Sequence, residues 1–201
     1  LLIETVVMKY KHGNSVCISS QAGCRMGCRF CASTLLGKER DLTAGEMLAQ
    51  VAFANADAGV TNVVVMGVGE PLDNFDNLCV FLENLHDPRG LNISHRHVSV
   101  STCGIVPKIY ELAEKRLQIT LSVSLHAPDD ETRSQIMPIN SAYNVETLMK
   151  ACDAYVAATN RRISYEYTLI KGVNDTPAHA RRLASLMKGR LAHVNLIPVN
   201  Y

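Results

Sequence analysis

The 201-residue sequence predicts an α/β fold built on a parallel sheet, in one domain. Three observations carry this. Six strand-like runs alternate with five helix-like runs, and such alternation calls for parallel strands joined by right-handed crossovers. Nearly every strand-like run ends in small, polar or charged residues, where parallel α/β folds place their sites. No composition shift or long linker interrupts the chain, which is 47% hydrophobic and 19% charged, ordinary for a globular domain. Periodicity does not separate an open sheet from a barrel, but five strands contributing to one polar rim favour a barrel or partial barrel.

In chain order, residues 16–20 read as the first strand. Residues 43–58 have helical period, with Thr43 as N-cap and Glu46 three residues on, a capping box. Residues 62–66 form a β-branched run that stops at Gly67. Residues 75–85 are helical, and Pro88 and Gly90 end that pattern. Residues 97–101 alternate as a strand, with Gly104 beyond. Helical runs at 107–115, 145–160 and 176–187 then alternate with strand-like runs at 118–125, 162–170 and 193–198. The polar ends are Ser19-Ser20, Gly69-Glu70, Ser101-Thr102, Ser124 to His126, and Asn200.

No stretch approaches the 18 or more apolar residues of a membrane span, and no secretory leader is legible. Net charge is +1, so the whole chain is not an obvious nucleic-acid binder. Residues 1–40 carry six Lys/Arg against two Glu, a net +4, which leaves −3 for the rest; that basic third could face phosphates. The chain opens Leu1-Leu2-Ile3 without a Met and stops just after a strand-like run, so it reads as a piece of a longer protein.

Four of the seven cysteines crowd into residues 17–31. Cys79, Cys103 and Cys152 are scattered in apolar segments and read as small core residues. Cys24, Cys28 and Cys31 form a C-x3-C-x2-C run directly after the first strand, with Gly23 and Gly27 free to turn the backbone so that three sulfurs can converge. Thiolates are soft ligands, suited to iron–sulfur clusters or zinc. A structural zinc wants a fourth protein ligand; none is present at finger spacing beyond Cys31, and His12 and Cys17 lie before the loop. Three thiolates on a four-iron cluster leave one iron open for a substrate, which suits catalysis better than electron carriage.

C-x3-C-x2-C with an aromatic (Phe30) before the last cysteine resembles the radical S-adenosylmethionine (radical SAM) superfamily. Further motifs narrow this: Cys-Ile-Ser-Ser-Gln-Ala-Gly-Cys at 17–24, Gly-Val-Gly-Glu-Pro-Leu at 67–72, Val-Ser-Val-Ser-Thr-Cys-Gly at 98–104, Ser-Leu-His-Ala-Pro at 124–128, Met-Pro-Ile-Asn at 137–140, Gly-Val-Asn-Asp at 172–175 and Asn-Leu-Ile-Pro-Val-Asn at 195–200. Seven motifs in order resemble the RlmN/Cfr family of RNA adenine methyltransferases, from about residue 3 to the end.

The resemblance implies a partial (β/α)6 radical SAM barrel over residues 1–201. It implies a [4Fe-4S] cluster on Cys24, Cys28 and Cys31, with S-adenosyl-L-methionine (SAM) chelating the open iron. Gly69 and Glu70 would bind the SAM amine; Ser101, the Ser124-Leu125-His126 triplet and Asn200 would supply the other SAM contacts. Glu4, thirteen residues before Cys17, would handle protons at the target adenine. Cys17 would form a transient disulfide as product leaves. C2 of adenine is electron-poor, so polar methyl transfer should fail there and a 5′-deoxyadenosyl radical acting through a methylated cysteine is implied instead.

Gly-Glu-Pro at 69–71 favours the C2-methylating branch over the C8-methylating, antibiotic-resistance branch. The implied partners are 23S rRNA, tRNA near the anticodon and a flavodoxin-like electron donor, for a monomer in the reducing cytoplasm. A small N-terminal RNA-binding domain and a C-terminal Ala-Cys-Gly-Gln-Leu motif, which carries the methyl group, are not in the 201 residues. The expectation is therefore a core that binds cluster and SAM without completing turnover. Arg161-Arg162 and Arg181-Arg182 could touch RNA, although solvated helix ends are the simpler reading of them.

Overall fold

The capping box at Thr43 forms as the sequence predicts. The Thr43 hydroxyl accepts from the Glu46 backbone, and the Glu46 carboxylate accepts from the Thr43 N–H at 2.9 Å, starting α1 (Ala44–Ala58). Such a cap is worth about 1 kcal/mol. Gly59, at φ 66°, ends the helix in the left-handed conformation that glycine adopts without strain. The computed structural model describes residues 2–11 and 13–198. It divides into two compact units, Leu1–Gly27 with Cys31–Ser101, and Cys28–Phe30 with Thr102–Tyr201.

In the first unit, β1 (Val6–Tyr10) pairs antiparallel with β2 (Gly13–Cys17). The short strands β3 (Gln21–Gly23) and β4 (Lys38–Asp41) form a separate antiparallel ribbon. After α1 come β5 (Val60–Val65), α2 (Phe75–Leu85) and β6 (Val98–Thr102). β2, β5 and β6 run parallel, with Cys17 opposite Val64 and Val63 opposite Val98. Val16, Val63, Val65 and Val100 from the strands are fully buried, as are Met47 and Val51 of α1 and Leu78, Phe81, Leu82 and Leu85 of α2. At roughly 2 kcal/mol per buried aliphatic side chain, this layer is what holds the unit.

The second unit contains α3 (Val106–Glu114), β7 (Thr120–Ser124), α4 (Asp130–Ile136), α5 (Val145–Thr159), β8 (Ile163–Leu169), α6 (Pro177–Met187) and β9 (Ala192–Pro198). β7, β8 and β9 run parallel in that order, with Val123 opposite Tyr165 and Tyr165 opposite Val194. Buried Tyr155 of α5 donates its hydroxyl to the Ile119 carbonyl at 3.2 Å. α6, capped by Thr176 and started by Pro177, buries none of its residues.

The α/β class and all eleven expected runs are present, with boundaries shifted by at most three residues. The six expected strands become nine among the described residues, because β1 and the β3–β4 ribbon were not anticipated. α4 was also unanticipated. Asp129 caps it through the Thr132 N–H at 2.9 Å, in a segment with a single strongly apolar residue, Ile136. No helix among the described residues is long and apolar enough to cross a membrane.

Candidate functional site

In the first unit the site grows from the end of β2. Beyond Cys17 the chain stays in register with the strand after α1: Ile18 N–H donates to the Val64 carbonyl, and Gly67 N–H to the Ile18 carbonyl, both at 3.0 Å. Gly69 sits at φ 108°, and a Cβ there would lie 2.6 Å from the Gln21 Cβ, so the backbone passes as closely as only glycine permits. The Gln21 side-chain oxygen then accepts from the Glu70 N–H at 2.8 Å. Glu70 is only 4% exposed, and its Oε1 accepts from the Leu72 N–H at 2.9 Å, capping the 3-10 turn Pro71–Asn74. The buried amide of Asn74 donates to the Ser20 and Leu42 carbonyls and fastens this turn to the β2 extension.

The cysteine loop is held to the same turn by Asp73. Its carboxylate, with the side chain 6% exposed, accepts from Gln21 Nε2 at 3.0 Å, Lys38 Nζ at 3.0 Å and Arg25 Nε at 3.1 Å, with a second bond from Arg25 Nη2. Burial opposes the charge, but the donors from Arg25, Gln21 and Lys38 outweigh it and hold the acid below the usual carboxylate range. Arg25 directly succeeds Cys24, so the network fixes the loop beside the first thiol. Gly23 and Gly27 adopt φ 75° and 71°, and a Cβ on Gly23 would collide with the Gly37 carbonyl at 1.9 Å. Burial raises the Cys24 thiol pKa; the Met26 N–H opposes this, and the nearby Glu70, Cys31 and Asp73 charges add to it. Cys31 is half-buried.

Cys17 is half-buried, and its thiol is likewise raised by burial, against a backbone bond from Met66 and with a further push from Glu4. Glu4 lines an open pocket of about 290 Å³ together with Ser19, Gln21, Ser33 and Leu36, and its backbone carbonyl accepts from the Ser19 hydroxyl at 2.8 Å. Ser101 donates its hydroxyl to the Val65 carbonyl at 3.0 Å, which leaves its oxygen lone pairs for another donor.

In the second unit, Cys28 is buried and the adjacent Arg29 N–H bonds the Ile136 carbonyl at 3.0 Å. Beyond β7 the Leu125 and His126 N–H groups both reach the Glu166 carbonyl at 3.1 Å. His126 has φ 54°, is 4% exposed and meets the Phe30 ring edge-on at 4.7 Å. Its Nδ1 accepts from the Thr168 N–H at 2.9 Å, so the ring hydrogen sits on Nε2. Burial, and secondarily the Arg133 charge, push its pKa down to about 3, so the imidazole is neutral.

The first unit thus holds Glu4, Cys17, Cys24, Cys31, Gly69, Glu70 and Ser101; the second holds Cys28, Ser124, Leu125 and His126. Asn200 lies outside the described residues. The disulfide expected of Cys17 is corrected: no disulfide joins any of the seven cysteines. The Cys17 sulfur instead lies against the Met66 backbone in a half-buried strand position that favours the protonated thiol. Asp73, Arg133 and Asn174 escaped the sequence reading as functional residues. Asp73 comes directly after the Gly-Glu-Pro-Leu motif and Asn174 lies within Gly-Val-Asn-Asp, so both had a positional signal; Arg133 had none.

Among the described residues, no group of three or more His, Cys, Asp or Glu side chains is placed to hold a metal ion. The fit of an iron–sulfur cluster rests on the donor set: three reduced thiols, on a loop turned by two positive-φ glycines.

The sequence profile of the radical SAM superfamily matches residues 18–184. The chain is 60% identical over 200 residues to a probable dual-specificity RNA methyltransferase RlmN of Lachnospira eligens, covering 98% of this chain and 57% of that protein. It is 57% identical to the protein of the same name in Clostridium botulinum, covering 99% of this chain and 59% of the relative. Its structure matches that of a radical SAM methyltransferase from Sphaerobacter thermophilus with a TM-score of 0.96 and 48% identity, over 99% of this chain and 60% of the other. The expected partial barrel is therefore the fold. The chain spans somewhat under two thirds of the length of these relatives.

Proposed function

The chain belongs to the radical SAM superfamily, and from that premise we propose that it is the catalytic core of an RNA methyltransferase acting at C2 of adenosine, in 23S rRNA and in tRNA. The observation that carries this is the Cys24 loop and the Gly69-Glu70 turn, pinned together through Gln21 and Asp73, in a chain 57–60% identical to RNA methyltransferases.

Cys24, Cys28 and Cys31 would hold a [4Fe-4S] cluster. When bound, that cluster supplies the electron for reductive cleavage of SAM, the radical route that an electron-poor ring carbon demands. Glu70 offers a buried carboxylate to the SAM ammonium, a charge-assisted pair. Gly69 keeps the backbone low enough for the ligand to approach. Ser101 and Ser124 would offer hydroxyls, Leu125 packing, and neutral His126 one N–H donor; Asn200, outside the described residues, is proposed as a further SAM contact. Glu4 lines an open pocket with Ser19 and Gln21, suited to moving a proton at a bound base, with the Cys17 thiol near enough to feel its charge. A flavodoxin-like protein is the proposed electron source, and the reducing cytoplasm suits the thiols.

Anaerobic reconstitution and then EPR tests the core of this reading. A reduced [4Fe-4S] signal that SAM perturbs is expected; a signal indifferent to SAM overturns it. For regiochemistry, the gene encoding this chain is deleted and rRNA and tRNA nucleosides are scored by mass spectrometry. Loss of 2-methyladenosine is expected, and loss of 8-methyladenosine instead would overturn the C2 assignment.

A further inference from the structure

Arg133, on α4, is fully buried in the second unit. Its guanidinium makes four hydrogen bonds, all to neutral oxygens. Nη2 donates to the Cys103 carbonyl at 2.7 Å and to the Ser124 carbonyl at 3.1 Å; Nε donates to the Leu125 carbonyl at 3.2 Å; Nη1 donates to the Asn140 side-chain oxygen at 3.1 Å. Asp130 is reached only at second hand, through the Asn140 amide at 3.1 Å. The pocket is shaped to the group: a Cβ on Gly104 would lie 3.5 Å from Nη2 and 2.9 Å from a Leu148 methyl.

Two facts need a common cause. Three of the bonds tie the carbonyls where β6 and β7 end, fixing the backbone of Ser124 and Leu125 immediately before His126. A buried cation with no directly bonded carboxylate is also strongly disfavoured unless an anion shares its surroundings. Burial weakens the guanidinium's hold on its proton, and the largest opposing influences are the Cys103 and Cys28 sulfurs, ahead of Asp130; the loop that carries Cys28 meets the Arg133 helix where the Arg29 N–H donates to the Ile136 carbonyl at 3.0 Å.

We propose that Arg133 is a positioning residue with two effects: it locks the Ser124-Leu125-His126 segment in its SAM-binding form, and it is the buried counter-charge of the thiolate-bound cluster at Cys28. The proposal rests on the proposed function, in which Cys28 ligates a cluster. Three thiolates make the bound cluster anionic, and one-electron reduction adds a further negative charge. A fixed cation nearby therefore favours the reduced state and raises the reduction potential.

The test compares the reconstituted chain with R133Q and R133K by EPR-monitored redox titration and by SAM-binding calorimetry. R133Q removes the charge, and reduction should become about tenfold less favourable, a shift of about 59 mV to more negative potential for one electron. R133K keeps the charge but not the planar fork. It should titrate near the wild-type potential while its SAM dissociation constant rises about tenfold. A potential that falls as far in R133K as in R133Q overturns the counter-charge; wild-type SAM affinity in R133K overturns the positioning role. If R133Q does not accumulate as folded protein, R133K is judged against the wild type: a potential lower by about 59 mV overturns the counter-charge, and wild-type SAM affinity overturns the positioning role. A wild-type chain with no [4Fe-4S] signal defeats the proposed function, whereas a normal wild-type signal with unaltered variants defeats this inference alone.

Discussion

The side-chain amide of Asn174 donates to the His126 carbonyl at 2.7 Å, across 48 residues of sequence. The same amide donates to the Thr168 carbonyl at 2.7 Å, and its oxygen accepts from the Ile170 N–H at 2.7 Å. His126 is in the left-handed conformation, uncommon for a residue with a Cβ, and the peptide on its C-terminal side is held there by Asn174. Asn174→Leu would strip these bonds from the buried His126 carbonyl and from the part-buried Thr168 carbonyl and Ile170 N–H. Urea unfolding should show a loss of about 3 kcal/mol or more, and SAM affinity should fall with it. Unchanged stability would show that His126 holds its own geometry.

The loop cysteines and the scattered cysteines should separate cleanly. Cys24→Ala, Cys28→Ala and Cys31→Ala should each lose most bound iron and the broad visible absorbance of a reconstituted cluster. Cys79→Ala and Cys152→Ala should keep both. Cys152 is fully buried, and its thiol is pushed up to about 12 by burial, opposed by a bond from Tyr165, so it stays protonated and is a poor ligand.

Asp73→Asn should loosen the cysteine loop without emptying the space. Losing the charge that holds Arg25 and Lys38 should speed cluster release to a chelator several-fold in the anaerobic protein. The wild type should do the same in acid. The folded carboxyl titrates below its ordinary value, so its contribution is complete above the ordinary carboxylate range and is lost as pH falls through the folded pKa. Release should thus accelerate below about pH 4 in the wild type, and that acceleration should be weaker in D73N.

His126 gives stability a pH dependence of its own. Its folded pKa of about 3 lies below the ordinary histidine value, so the unfolded chain binds the proton first and stability falls as pH drops from about 7 towards 3. At pH 5.5 this amounts to about 1.4 kcal/mol relative to pH 7.5. Urea titrations at the two values should show that difference in the wild type and lose it in His126→Gln.

Much of the barrel was legible because its elements obey simple rules. Thr43 and Glu46 declared the start of α1, and β-branched residues before Gly67 declared β5. The elements that escaped did so for physical reasons. Val6 and Tyr10 of β1 are exposed, so that edge strand shows no buried-face alternation. The side chains that α4 buries are Thr132, Arg133 and Ile136, and a hydrophobic pattern does not register a core-facing arginine. The site residues announced themselves as motifs, since thiols and glycines at fixed spacing have few other uses. Their supports did not. Asp73 and Asn174 act through several hydrogen bonds each, and the ones that reach Gln21 and His126 cross some fifty residues of sequence, which no local pattern encodes.

Glu70 caps the Pro71–Asn74 turn with one carboxylate oxygen while standing as the proposed partner of the SAM ammonium. An alanine scan therefore reports two losses at this position as one number. A glutamine keeps an oxygen for the Leu72 N–H and surrenders only the charge. The gap between the two substitutions measures architecture, and the loss seen with glutamine alone measures recognition. Families that drift at this position would be free to change ligand only if something else took over the turn.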